Sequence, residues 1–287
     1  MEFQSFIDTA WSLHDKHTSE MVKHYEGGLK LAKNETELLA LSRLITHVAV
    51  EHDFKFDSAL HYLVKIAENS HLVSETGRQA VKRQIATLNY IADQNENISD
   101  FSASDRTIIF ITTATALVCQ NQIEKSEHFL QRAVAASLSL SDDDEAFKFL
   151  AAACNNMAAK LGDKNAVDDI ERKLMLVLAH YSRNFWEKAG TWLHVERAEY
   201  GLSKYYRKIY DFENSKKHGQ LCLKICSQFH AEPMEMFFAH ESMALTYKEL
   251  NEQGAFETHL QEMKLYFLRC GEADRLWMQA SLNKAEQ

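Results

Sequence analysis

Residues 196–229 read ERAEYGLSKYYRKIYDFENSKKHGQLCLKICSQF, and this stretch decides the fold. A first helical run carries a small residue, Ser203, near its middle. A short polar turn follows at Tyr210-Asp211-Phe212, and a second run opens at Asn214-Ser215. Paired helices must approach to about 8–10 Å between axes, and small residues at the crossing make that possible. The same plan recurs at 40–70, 107–139 and 147–184. Their middle positions are His47 (the poorest match), Ala114 and Asn155, and their second runs open at Ser58-Ala59, Lys125-Ser126 and Ala166-Val167. A period of about 34 to 45 residues built from helix–turn–helix pairs indicates a repeat array rather than a bundle.

Outward from these segments the pattern holds. Apolar residues recur at spacings of three and four, as in Leu38, Leu41, Leu44, Ile45 and Val48, or Phe129, Leu130, Ala133, Val134 and Leu138. Nine glycines and one proline in 287 residues leave too little punctuation for a β-rich chain. The expected fold is all-α: a right-handed α-solenoid of stacked antiparallel helix pairs, with about 14 helices. Among them are helices over 104–120, 143–161 and 164–184, with N-caps at Asp105 and Ser141. The acidic run 142–145 then favours the positive end of the next helix dipole. The longest loop-like stretch, DQNENISDFSASD at 93–105, suggests a sub-array over 1–93, a connecting loop over 94–105 and a second sub-array over 106–287, or one continuous solenoid.

The turn Lys160-Leu161-Gly162-Asp163-Lys164, with Leu202, Tyr206 and the turn at Tyr210-Asp211-Phe212, resembles the tetratricopeptide repeat family. The proline that usually closes such a repeat is missing except at Pro233. The opening, Phe6 to Leu13 and Gly28 to Ala32, is similar to helical-repeat sensor regions of bacterial signalling proteins that often precede a diguanylate cyclase domain, but no GGDEF stretch exists here. The resemblance implies a scaffold whose first helices line a concave binding face. It makes a sensory module of a larger signalling protein the alternative.

On that reading the residues facing the groove are Arg197, Tyr200, Lys204, Arg207 and Lys208 in one pair, and Asn156 and Lys160, with Ala152, in the preceding one. Charge supports the location. Residues 141–171 hold eight acidic and three basic side chains, whereas 172–224 hold eleven basic and five acidic, interleaved with aromatics. Such a groove suits a protein or peptide partner with an anionic segment. Terminal repeats of this kind often pair, which allows a homodimer.

The net charge of −9 argues against nucleic acid. The most apolar run, IIFITTATALVC at 108–119, falls short of the roughly 20 residues a membrane span needs and reads as a buried helix. The N-terminus lacks signal-peptide character, and five scattered cysteines suit a reducing compartment, so the expected location is the cytoplasm. No phosphate loop, GxSxG or HExxH occurs, so neither enzyme activity nor a cofactor is expected. Cys222 and Cys226, four apart, read as small core residues. The cluster His47, Glu51 and His52, with His14 and His17 elsewhere, is the best metal candidate of an α-helical enzyme, the lesser alternative, but reads first as boundary histidines, so no metal is expected.

Overall fold

The computed structural model describes residues 2–92 and 97–287. The expected boundary at 93–94 and the first part of the 94–105 stretch lie outside them. Among the described residues the chain forms fourteen α-helices: α1 (Phe3–Leu13), α2 (Thr18–Leu31), α3 (Glu35–Val48), α4 (Phe56–Ala67), α5 (Glu75–Ala92), α6 (Ala103–Cys119), α7 (Ile123–Ser137), α8 (Ala146–Gly162), α9 (Asp169–Ala189), α10 (Trp192–Lys208), α11 (Phe212–Gln228), α12 (Pro233–Glu249), α13 (Gln253–Arg269) and α14 (Glu272–Glu286). The end of α3 widens into one π-helical turn, Ala49–Asp53. Contacts divide the chain into two compact units, Met1–Ser141 and Asp142–Gln287.

In the first unit each helix packs on its successor, and α1, α3 and α5 also touch in series. Phe6 and Ile7 of α1, Leu38, Leu41, Leu44 and Ile45 of α3, and Leu63 and Ile66 of α4 form its core. The apolar run is α6, with Ile109, Ala114 and Ala116 fully buried. Among the described residues no helix is long and apolar enough to cross a membrane.

The second unit is a plainer stack. Successive helices pack in order from α8 to α14, and a second series of contacts joins α8 to α10, α10 to α12 and α12 to α14. The first helix of each pair therefore touches the first helix of the next. This is the solenoid-like arrangement that the helix–turn–helix repetition implies. Close approach is built in where it is needed: a Cβ on Gly162 would lie 2.5 Å from the Tyr205 ring, and one on Gly219 would lie 2.7 Å from Met243 Sδ.

Three pairs share one turn. Asn121, Tyr210 and Asn251 are left-handed, with φ of 60°, 66° and 58°. Each is followed by an amide that reaches five residues back: Gln122 N to Leu117 O at 2.8 Å, Asp211 N to Tyr206 O at 3.0 Å, Glu252 N to Tyr247 O at 3.0 Å. Each also bonds its own N–H to the carbonyl three residues earlier. This is the Schellman closure of a helix, here without glycine. The crossings repeat as well: Ser126 Oγ donates to Ala114 O at 2.9 Å, and Ser203 and Ser215 exchange hydroxyl-to-carbonyl bonds at 2.8 and 2.9 Å.

Several expected boundaries move. Helix α9 starts at Asp169, not 164, because Asp168 and Glu171 form a reciprocal capping box there. Ala166-Val167 thus lies in the preceding loop, and Asn155 is exposed rather than at the crossing. The interior of α8 is made by Ala151, Cys154 and Ala158, and Ser182 Oγ of α9 donates to Ala151 O. The cap of α6 is Ser102, whose Oγ accepts from Asp105 N at 3.0 Å, and helix α8 begins at Ala146 after Asp144 rather than at Ser141. Asp105 instead turns its carboxylate to Arg83 and Gln79 of α5.

Candidate functional site

Helix α10 is the centre of the second unit, packed by α9, α11, α12 and α8. Residues 197, 200, 204 and 207 fall on one side of it because their spacings of three and four repeat the helical turn. The nearest polar groups on that side belong to the neighbouring first helices. Arg197 Nη2 donates to Glu235 Oε1 at 2.5 Å, and the Tyr200 hydroxyl donates to Glu241 Oε2 at 2.6 Å. Arg207 Nη1 reaches Ser242 O at 3.4 Å and Thr246 Oγ1 at 3.3 Å. All four partners, Glu235, Glu241, Ser242 and Thr246, are on α12. Toward α8, Lys204 Nζ donates to Asp163 Oδ1 at 2.9 Å and Lys208 Nζ to Lys164 O at 2.5 Å.

Five of the seven expected binding residues are therefore brought together, and each one ties α10 to a neighbouring helix pair. Asn156 and Lys160 are exposed on α8, where Asn156 Oδ1 accepts from Asn155 Nδ2 at 3.3 Å. Burial separates the five. The Arg197 side chain remains 57% exposed over an almost buried Glu235, whereas burial pushes the Tyr200 phenol well up, with Glu241 adding to it, and lowers the Arg207 guanidinium. Tyr200 thus remains a neutral hydrogen-bond donor to the Glu241 carboxylate.

On the adjoining side of α10 lie polar residues that the sequence reading did not single out. Glu199, 2% exposed, takes Arg183 Nε at 2.9 Å and the His218 ring at 2.6 Å. Burial alone would raise its carboxyl, but these two bonds outweigh it and hold it below the usual range. Glu196, 1% exposed, accepts from Cys222 Sγ at 2.9 Å, and its Oε2 has no partner. Burial, with Glu235 close by, pushes this carboxyl up to about 7. The spacing of Glu196, Glu199 and Ser203, three and then four, was the available signal: polar residues at the period of a buried stripe.

Ligand atoms of Glu196, Cys222 and Cys226 lie within 4.8 Å of one another. The hydrogen bond with Cys226 together with burial pushes the Cys222 thiol well up. A second group, His14, His47 and His52, meets the same distance criterion in the first unit.

The first helices of the second unit also share an aromatic run. Tyr200 of α10 meets Phe238 of α12 edge-on at 5.8 Å, and Phe238 meets Trp277 of α14 at 5.3 Å. Trp277 is 67% exposed, next to the exposed Leu276. Neither Phe238 nor Trp277 was an expected site residue. No family model matches the sequence, and no curated protein does.

Proposed function

We propose that the chain is a non-catalytic helical-repeat scaffold of the tetratricopeptide type that holds a segment of a protein partner on its first helices. The observation that carries this is the aromatic run Tyr200–Phe238–Trp277 across α10, α12 and α14, beside the exposed guanidinium of Arg197. Aromatic side chains give large contact area at small entropic cost, and with arginine they dominate protein-binding hot spots. Arg197 gives an acidic group on the partner a place to bind. Lys204, Lys208 and Arg207 serve chiefly as struts between helices, and Asn156 and Lys160 lie outside the grip.

The same reading places the protein in the cytoplasm, in a regulatory or signalling role. Three of the five cysteines, Cys154, Cys222 and Cys226, are buried core residues, which supports a reducing compartment. The test is a binding measurement on partners recovered with the intact chain. Trp277→Ala combined with Arg197→Glu should weaken association about 30-fold or more, since hot-spot residues are worth about 2 kcal/mol or more. Equal recovery and equal affinity with the double variant would refute the surface.

A further inference from the structure

We infer that His14, His47 and His52 form a binding site for one divalent transition-metal ion, with Zn²⁺ as the best-suited ion. The inference is independent of the scaffold reading, because every residue it uses lies in the first unit.

The site exists because of the backbone. Five residues on a regular α-helix subtend about 140°, so His47 and His52 would point apart. Between them the helix widens into the π-helical turn Ala49–Asp53, where bonds run to the fifth residue instead of the fourth. The turn ends on Phe54, left-handed at φ 54°. Their Nε2 atoms thereby come to 3.3 Å. Two nitrogens bound to one tetrahedral Zn²⁺ at about 2.0–2.1 Å stand about 3.3–3.4 Å apart. His14 arrives from the end of α1, its ring centroid 4.9 Å from each of the other two. The ligand atoms of all three lie within 4.8 Å of one another.

The second nitrogens of His47 and His14 are held in the manner metal sites use. His47 Nδ1 faces the Glu51 carboxylate at 3.0 Å, and His14 Nδ1 faces the Trp11 carbonyl at 2.6 Å. Both acceptors take an N–H, which fixes the tautomer and leaves each Nε2 as a lone pair for a ligand bond. The Trp11 ring lies 5.2 Å from His14 and 5.1 Å from His47, walling one side with apolar surface. Imidazole nitrogens favour Zn²⁺, Cu²⁺ and Ni²⁺ over Mg²⁺ and Ca²⁺. Three histidines leave a fourth tetrahedral position for water or for a ligand atom from elsewhere.

The test is calorimetric titration of the metal-stripped full chain with Zn²⁺, together with the visible spectrum after Co²⁺ loading. One ion per chain is expected, with a tetrahedral Co²⁺ spectrum free of thiolate-to-cobalt absorption. His14→Gln with His52→Gln should weaken Zn²⁺ at least about 100-fold, and Glu51→Gln about 10-fold, the range for outer-shell partners. Zn²⁺ bound equally well by the double variant would overturn the assignment. So would a thiolate absorption band on the unaltered protein, which would place the ion at Cys222 and Cys226. Absence of stoichiometric Zn²⁺ and Co²⁺ binding by the unaltered chain would also overturn it.

Discussion

The α10 surface and the imidazole cluster at the end of α3 are both polar, yet they are built in opposite ways. On α10 Arg207, Lys204 and Lys208 are taken up by carboxylate, carbonyl or hydroxyl groups from neighbouring pairs and become ties within the stack, while Arg197 stays exposed over Glu235. At the end of α3 three imidazoles meet one another, and a carboxylate and a carbonyl on the far side hold two of them, His47 and His14. A charged stripe at helical spacing is thus compatible with a surface whose charge is already used. In the imidazole cluster the like groups face one another instead. The sign and density of charge do not distinguish the two cases; the direction from which the partner comes does.

The comparison can be broken most decisively at its buried end. Glu199→Ala leaves Arg183 and His218 without their shared carboxylate. Losing one member of a buried pair costs about 3–5 kcal/mol, so urea unfolding should shift by that order, and a change below 1 kcal/mol would mean that α10 is not held by this network.

A second effect, of about 3 kcal/mol, concerns pH. His240 is held neutral: burial, with His259 beside it, lowers it from 6.5 to about 4. Between those values the unfolded chain binds a proton that the native chain does not, so stability is full above about pH 6.5 and falls as pH drops toward 4. His259 is lowered in the same direction by burial. Unfolding midpoints measured from pH 7 to 4.5 should decline, and His240→Gln should flatten that decline. An unchanged slope in the variant would assign it to other groups. The smallest effect is at Lys204, whose pair with Asp163 is exposed on both sides. Lys204→Ala should change stability by less than about 1 kcal/mol, and a larger loss in the same urea assay would promote it from a surface tie to a structural one.

Much of the architecture was legible because it is local. Scarce glycine and proline, apolar spacing and the turn at Tyr210-Asp211 all act within a few residues, and the helices follow them. The ends of α8 and α9 were misread where side-chain caps, not apolar period, set the start: Asp168 and Glu171 form a bonded box that a stripe does not show. The expected site was legible only in part. Residues 197, 200, 204 and 207 do share a side of α10, but their partners Glu235, Glu241 and Asp163 lie in neighbouring pairs. Register between pairs decides those meetings, and no spacing within one helix encodes it. The imidazole cluster was legible in part: His47 and His52 stood out beside Glu51, but their convergence depends on a turn that departs from the 3.6-residue period and on His14 from another helix.

The shared Schellman turn has a consequence for how such a chain can change length. Tyr210 and Asn251 bend the backbone alike and carry the same bonds on either side, 41 residues apart. A cut at one can be rejoined at the other without designing a new joint. At the level of the backbone joint, the segment between them is interchangeable in the sense that a link in a chain is. The length of the stack is then a quantity counted in whole links.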